Sequence, residues 1–332
     1  MARTHIVDCH THILTEETVA LLRKEAPKAA IAIAPIDGDS AVLEVAGHAY
    51  RPFPRGGYDL DRRLRDMAAM AVDMQVLSAT PQTYLYNQDA SLAAVTSAIQ
   101  NDQIAKLVKS KPDRFAGIAT LPMQDGERAA AELRRAITGL GMRGAMIGSN
   151  VNGRNLDDPS LEPLWAAADQ LGAFIWVHPT TVAGADRLKD YYLVNLVGNP
   201  LDTTIAAACL LFGGVLQRYP KMKIGLVHGG GFVPYQAGRW AHGWQVRPEP
   251  KKHVGARPDR LTDLFYYDTI MHSREALEYM IARVGVGRVL LGSDYPYDMA
   301  MMDCVAHVRS LAIPDADKSR ILSEQPRALF GG

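Results

Sequence analysis

The chain has no surplus of charge of either sign. Its 36 Lys and Arg are balanced by 36 Asp and Glu, a formal net charge of +0 at pH 7. Without an excess positive field nothing holds a phosphate backbone or an anionic membrane surface, so nucleic acid is not an expected partner. Cysteine is scarce: Cys9, Cys209 and Cys304 are odd in number and far apart, which argues against a disulfide framework and fits a reducing compartment. Long apolar runs are missing as well. The stretch at 205–215 falls short of the roughly 20 residues that a bilayer span needs, and no membrane segment is expected. The first residues turn polar before a signal-peptide core could form, so the expected location is the cytoplasm. Repeats, low-complexity tracts and linker-like segments are absent, which excludes fibrous and disordered classes. With 332 residues, 48% of them hydrophobic, the chain can build one domain over its whole length around a sizeable core.

Within that composition, short β-rich apolar runs alternate with longer amphipathic segments from end to end. The runs lie at 4–9, 74–79, 115–121, 144–148, 173–177, 223–227, 265–268 and 288–292. Most are nearly continuous in apolar residues, as strands covered on both faces are. Helical periodicity fills 92–109, 127–137, 161–171, 201–217 and 274–284. Eight strands, each followed by a helix, predict a (β/α)8 TIM barrel with an insertion after the first strand, and a doubly wound open sheet is the alternative. The insertion is residues 15–59, rich in Pro and Gly and too long for an ordinary connection. It reads as a helix at 16–25 followed by an irregular or small β segment at the barrel mouth. Residues 244–258, rich in Pro, Lys and Arg, read as an irregular surface segment.

Chemistry gathers at the predicted strand ends. In Asp8-Cys9-His10-Thr11-His12, residues two apart on an extended chain point the same way, so His10 and His12 can aim both imidazoles at one spot. His178 ends the fifth run in Val177-His178-Pro179, and Asp294 follows the eighth in Leu291-Gly292-Ser293-Asp294-Tyr295-Pro296. In a parallel barrel all strand C-termini face one mouth, so three imidazoles and a carboxylate converge into a site suited to zinc or a similar divalent ion. His228, in Val227-His228-Gly229-Gly230-Gly231, overlooks the same mouth, with glycines that permit backbone to approach a ligand. No Walker lysine or dinucleotide fingerprint accompanies them, so nucleotide binding is excluded.

These segments, in this order and spacing, together with Val72-Asp73-Met74-Gln75-Val76 and Ala79-Thr80-Pro81, resemble the amidohydrolase superfamily. Within it they are most similar to the branch typified by 2-amino-3-carboxymuconate 6-semialdehyde decarboxylase. The resemblance runs from about residue 5 to the last helix. It implies that His10, His12, His178 and Asp294 ligate one divalent ion, zinc before manganese, and that His228 is the catalytic acid/base. It further implies that Arg51 holds a substrate carboxylate and that Arg239 supplies a second carboxylate contact across a homodimer. Tyr191 aligns where the branch lines its pocket with tryptophan. Residues 143–150 contain no lysine to serve as the bridging ligand of two-metal members. The implied activity is metal-dependent, non-oxidative decarboxylation of a small unsaturated or aromatic carboxylic acid, similar to aminocarboxymuconate semialdehyde. Metal-dependent hydrolysis of a small acidic lactone or amide is the alternative. A non-enzymatic metal-binding protein is disfavoured, because structural sites take ligands close in sequence and these span residues 10 to 294.

Overall fold

A computed structural model describes residues 5–331, and each of the eight predicted runs contributes a parallel strand. β1 (Val7–Ile13) is followed by three antiparallel strands, β2 (Ala32–Pro35), β3 (Ser40–Val45) and β4 (His48–Pro54). The remaining strands are β5 (Met74–Ala79), β6 (Phe115–Gly117), β7 (Gly144–Gly148), β8 (Phe174–His178), β9 (Lys223–Leu226), β10 (Tyr266–Asp268) and β11 (Val289–Leu290). They pair as two parallel sheets, β1-β5-β6 and β7-β8-β9-β10-β11. Strand order in space follows order in the chain, without the reversal that marks a doubly wound sheet. That alternative is therefore set aside.

Backbone hydrogen bonds join the two sheets at both edges. Ala119 N–H donates to Gly144 O, and Met146 N–H to Ala119 O. At the opposite edge Cys9 N–H donates to Leu291 O and His12 N–H to Tyr295 O. Helices such as Ala90–Ser110, Glu162–Leu171 and Arg274–Val284 lie between successive strands. Two of these starts are fixed by side-chain caps: Asp89 accepts from the N–H groups of Ser91 and Leu92, and Ser273 from that of Ala276. Continuously buried strands, seen in β1, β5, β7 and β8, explain why the sequence reads as apolar runs without alternation.

Several boundaries differ from expectation, β6 ending at Gly117 and β11 at Leu290, short of the runs read from the sequence. β1 does not stop at Cys9 but continues to Ile13, because His12 and Ile13 still pair with Ser78 and Ala79 of β5 across a register irregularity. Thr4, the expected start, lies outside the described residues. The helix expected over 201–217 breaks at Gly213 and Gly214, the latter at φ 74°. Upstream, the same segment extends into one helical stretch, Val194–Phe212, of 19 residues and mean hydropathy 1.2, long and apolar enough by length and composition to cross a membrane. The stretch is not a continuous apolar run in the sequence, because Asp202, Thr203 and Thr204 interrupt it. Asp202 is buried and accepts hydrogen bonds from Ser149, Asn150 and the Ala183 N–H, so this face of the helix is occupied by protein.

Within residues 15–59 the helix Glu16–Glu25 forms as predicted, and the rest is the antiparallel sheet β2-β3-β4. Leu22, Leu43, Val45 and Phe53 give this part its own apolar cluster. The segment expected to be irregular begins with ordered helix, since Val233–Val246 runs past Trp244 before shorter turns take over.

Candidate active site

Four side chains from three segments, β1, β8 and the loop after β11, meet above the strand ends. The ligand atoms of His10, His12, His178 and Asp294 all lie within 4.8 Å of one another, and all four residues are buried. Each imidazole is held through its Nδ1. His10 Nδ1 is 2.8 Å from Asp268 Oδ2, and His178 Nδ1 is 2.8 Å from the Pro179 carbonyl. His12 Nδ1 lies 3.0 Å from Ser78 Oγ, whose own proton goes to Thr11 O. These acceptors place the imidazole protons on Nδ1 and turn the Nε2 lone pairs inward. His10 Nε2 and His12 Nε2 are then 3.1 Å apart, and His178 Nε2 is buried with no hydrogen-bond partner. Inward-facing lone pairs beside a carboxylate repel one another unless a cation sits among them. The donor set of three nitrogens and one oxygen fits a divalent ion of borderline softness.

The electrostatics agree. Burial pushes His12 down to about 4 and His178 down to about 3, so both stay neutral and able to ligate near pH 7. Burial also opposes charge on His10, but the carboxylates of Asp294, Asp268 and Asp8 outweigh it and raise its value. Burial alone would raise Asp294. The His10 charge, then the close His12, His178 and His228 imidazoles, overcome it and hold the carboxyl well below the usual range. The pocket is thus built to surround positive charge.

Sequence reasoning missed what holds this cluster in place. Asp268, at the end of β10, accepts from His10 Nδ1 and also from the N–H groups of His228 (2.9 Å), Gly229 (2.8 Å) and Ile270 (3.1 Å). One carboxylate therefore orients a cluster histidine and fixes the loop that carries His228. Arg63, fully buried, donates to the carbonyls of Gly56 and His12 and to Gln75 Oε1, and its guanidinium lies 4.8 Å from the Tyr295 ring centroid. Gln75 in turn donates to Asp8, which also accepts from Ser293. Asp268 had one legible signal, a carboxylate at a strand C-terminus level with His178 and His228. Arg63 had none, since it looks like any arginine on an amphipathic helix.

His228 lies beside the cluster, its Nε2 3.4 Å from Asp294 Oδ2, at a left-handed φ of 54°. The three glycines after it pack against protein, and Gly231 also lines a cavity wall. They take φ of 62°, 75° and 60°, and an added Cβ would strike Met271 Sδ at 1.8 Å, the Tyr267 ring at 2.5 Å or Pro200 O at 2.2 Å. Their role is close packing around the His228 turn. Above His178, His228 and Asp294 opens a cavity of about 400 Å³, walled by Tyr84, Tyr86, Tyr297 and several amide side chains. A second lobe of about 370 Å³ shares His228 and Asp294 and is walled by Phe232, Ile270 and Met271.

The amidohydrolase family profile matches residues 7–332. The chain belongs to the amidohydrolase family. It is similar to the 2-amino-3-carboxymuconate-6-semialdehyde decarboxylase of Dictyostelium discoideum, 36% identical over 302 residues that cover 88% of this chain and 82% of that one. Among solved structures, the 5-carboxyvanillate decarboxylase of Sphingomonas paucimobilis matches at a TM-score of 0.84 and 25% identity, covering 99% of each chain. The dihydroxybenzoic acid decarboxylase of Polaromonas sp., solved with bound manganese and the inhibitor 2-nitroresorcinol, matches at 0.79 and 25% identity over 99% of this chain and 97% of that one.

Measured against this amidohydrolase site, three expected substrate contacts lie elsewhere in the single chain. Arg51, on β4, is exposed, and the adjacent Tyr50 lines the cavity instead. Arg239 is exposed on the helix Val233–Val246 and does not line either lobe. Tyr191 is 86% exposed, whereas its neighbour Tyr192 lines the pocket. Both tyrosines have left-handed φ, 56° and 59°, so the alternation of an extended chain cannot be used to choose between them. Among the described residues, no lysine or arginine lines either lobe.

Proposed function

We propose that this amidohydrolase is a metal-dependent, non-oxidative decarboxylase of a small unsaturated or aromatic carboxylic acid. The observation that carries the reading is the convergence of three inward-facing imidazole nitrogens and the Asp294 carboxylate at the floor of a cavity overlooked by His228. His10, His12, His178 and Asp294 hold one divalent ion, zinc first and manganese as the alternative suggested by the Polaromonas relative. When bound, such an ion supplies Lewis-acid stabilisation of negative charge on substrate oxygens. Loss of carbon dioxide leaves its bonding electron pair on the substrate's conjugated system, and His228 Nε2 delivers the proton to the carbon that has lost the carboxylate. Held by its backbone N–H to Asp268, His228 keeps that nitrogen over the cavity floor.

The remaining assignments follow the same reading. The hydrogen bonds that link the two parallel sheets at both edges support a closed (β/α)8 barrel forming one domain, with residues 15–59 inserted after its first strand. The lack of a lysine or arginine in the cavity walls among the described residues, and the exposed apolar side chains of Tyr191, Leu196, Val197, Phe232 and Tyr235, support a homodimer. In it Arg239 reaches the neighbouring cavity, and Arg51 closes over its own. Three free cysteines support a cytoplasmic location.

The test is carbon dioxide release by the metal-loaded protein across unsaturated dicarboxylates and hydroxybenzoates. Stoichiometric release, lost on chelation, is expected. Turnover of lactones or amides without any carbon dioxide release would replace this reading with hydrolysis.

A further inference from the structure

Tyr84 poses a problem that packing does not solve. It is 2% exposed, it lines the cavity, and its hydroxyl has no hydrogen-bond partner in the protein. A buried hydroxyl without a protein partner is costly, and phenylalanine would fill the same space without that cost. Beside it, Tyr86 is 6% exposed, with its ring centroid 5.5 Å from that of Tyr84. The Tyr86 hydroxyl accepts from the Gly148 N–H at 3.0 Å, which leaves its own proton to give. Tyr297, the third phenol, is already committed, donating to Gln82 Oε1 at 2.7 Å.

The segment is also held rigidly. Leu85, between the two tyrosines, sits at a left-handed φ of 54°, a strained conformation for a non-glycine residue. Gln124 Nε2 donates to the carbonyls of Leu85 and Gln88, and Asn152 Nδ2 donates to that of Tyr86. Burial, then the neighbouring Tyr86 and Tyr297 and the Asp294 carboxylate, keep the Tyr84 phenol well above its usual value, so it is a donor at any working pH.

We propose that Tyr84, with Tyr86 beside it, is a specificity-determining residue that donates a hydrogen bond to an oxygen substituent on the planar body of the substrate. This rests on the decarboxylase reading for the acid itself and names the residue of this chain that meets an oxygen carried in addition to the carboxylate. A ring without that oxygen would leave the donor as unsatisfied as it is without ligand, and the site would discriminate against it.

The experiment compares wild type and Tyr84→Phe, both metal-loaded, by titration calorimetry with benzoate, 2-hydroxybenzoate and 2,6-dihydroxybenzoate. Wild type is expected to prefer a hydroxylated acid to benzoate, and the variant is expected to lose about tenfold of that preference, the size of one hydrogen bond. Benzoate affinity should not change. Thermal unfolding of the ligand-free variant should be at or above the wild-type temperature, because the lost hydroxyl had no protein partner. An unchanged preference, an equal loss for all three acids, or a lower unfolding temperature would each overturn the assignment. Failure of the decarboxylase reading looks different: no acid would release carbon dioxide, yet the difference in binding preference between the two proteins would persist.

Discussion

Replacing Asp268 with asparagine tests whether one carboxylate holds the site together. Asp268 accepts four hydrogen bonds, two at Oδ2 from His10 Nδ1 and the His228 N–H, and two at Oδ1 from the Gly229 and Ile270 N–H groups. An amide keeps only one acceptor oxygen, so one pair of donors must face its NH2 group. If the NH2 group turns to the backbone pair, two charge-assisted bonds of about 1.5–3 kcal/mol each are lost. If it turns to His10, the imidazole proton must move to Nε2, which removes a lone pair from the cluster. The neutral amide is easier to bury than a charge, and this offsets part of the loss. The net expectation is about 2–4 kcal/mol of stability lost by the metal-free protein, together with about 10- to 100-fold weaker binding of zinc or manganese. Urea unfolding of the metal-free variant and titration calorimetry with each ion read the two effects separately. Unfolding within about 0.5 kcal/mol of wild type, the range of a neutral surface change, with unaltered metal affinity would refute the argument.

The other predictions separate roles that the geometry places side by side. His178→Ala should lower metal content and activity together, whereas His228→Ala should keep its metal and lose about 10²- to 10⁴-fold in rate; the reverse pattern would exchange the two assignments. Burial, with the Asp157 and Asp202 carboxylates, pushes the Cys209 thiol up to about 12, so its alkylation in the folded protein should be slow at pH 8 and rise about tenfold per pH unit to about pH 11, tracking the thiolate. A plateau near pH 9 would contradict that. Mixing inactive Arg51→Ala with inactive Arg239→Ala protein should restore partial activity, because a hybrid dimer holds one cavity with both arginines. No rescue despite demonstrated subunit exchange would end the shared-site proposal.

What was legible in the sequence is what periodicity and strand ends carry. The residues His10, His12, His178 and Asp294 could be grouped because the C-terminal ends of parallel strands share a face, and the structure brings those four together. What was not legible depends on contacts between segments far apart in the chain. Arg63 reaches the carbonyl of His12, 51 positions away, and Asp268 reaches His10, 258 positions away. Neither partner can be read from local pattern. Tyr191 and Tyr192 show the same limit at short range: adjacent residues of one type, both in left-handed backbone, are separated only by which of them the surrounding loop turns inward.

The charge of the cavity bears on how an acid could enter it. Its walls include Asp294 and Asp298 and, among the described residues, no lysine or arginine. A carboxylate approaching this single chain meets a negative field, strengthened by low dielectric. Two sources of positive charge can reverse it: an ion within the histidine cluster at the floor, and an arginine brought over the mouth. They act at different distances from the reacting carbon, so their losses should differ in kind. Removing the ion should abolish chemistry along with binding of the scissile carboxylate. If the protein is the proposed homodimer, separating its subunits should raise KM for acids with a second carboxylate more than for monoacids. If monoacids and diacids suffer equally on dissociation, the arginine does not reach the substrate, and the neutral phenol and amide donors of the cavity must do the positioning by themselves.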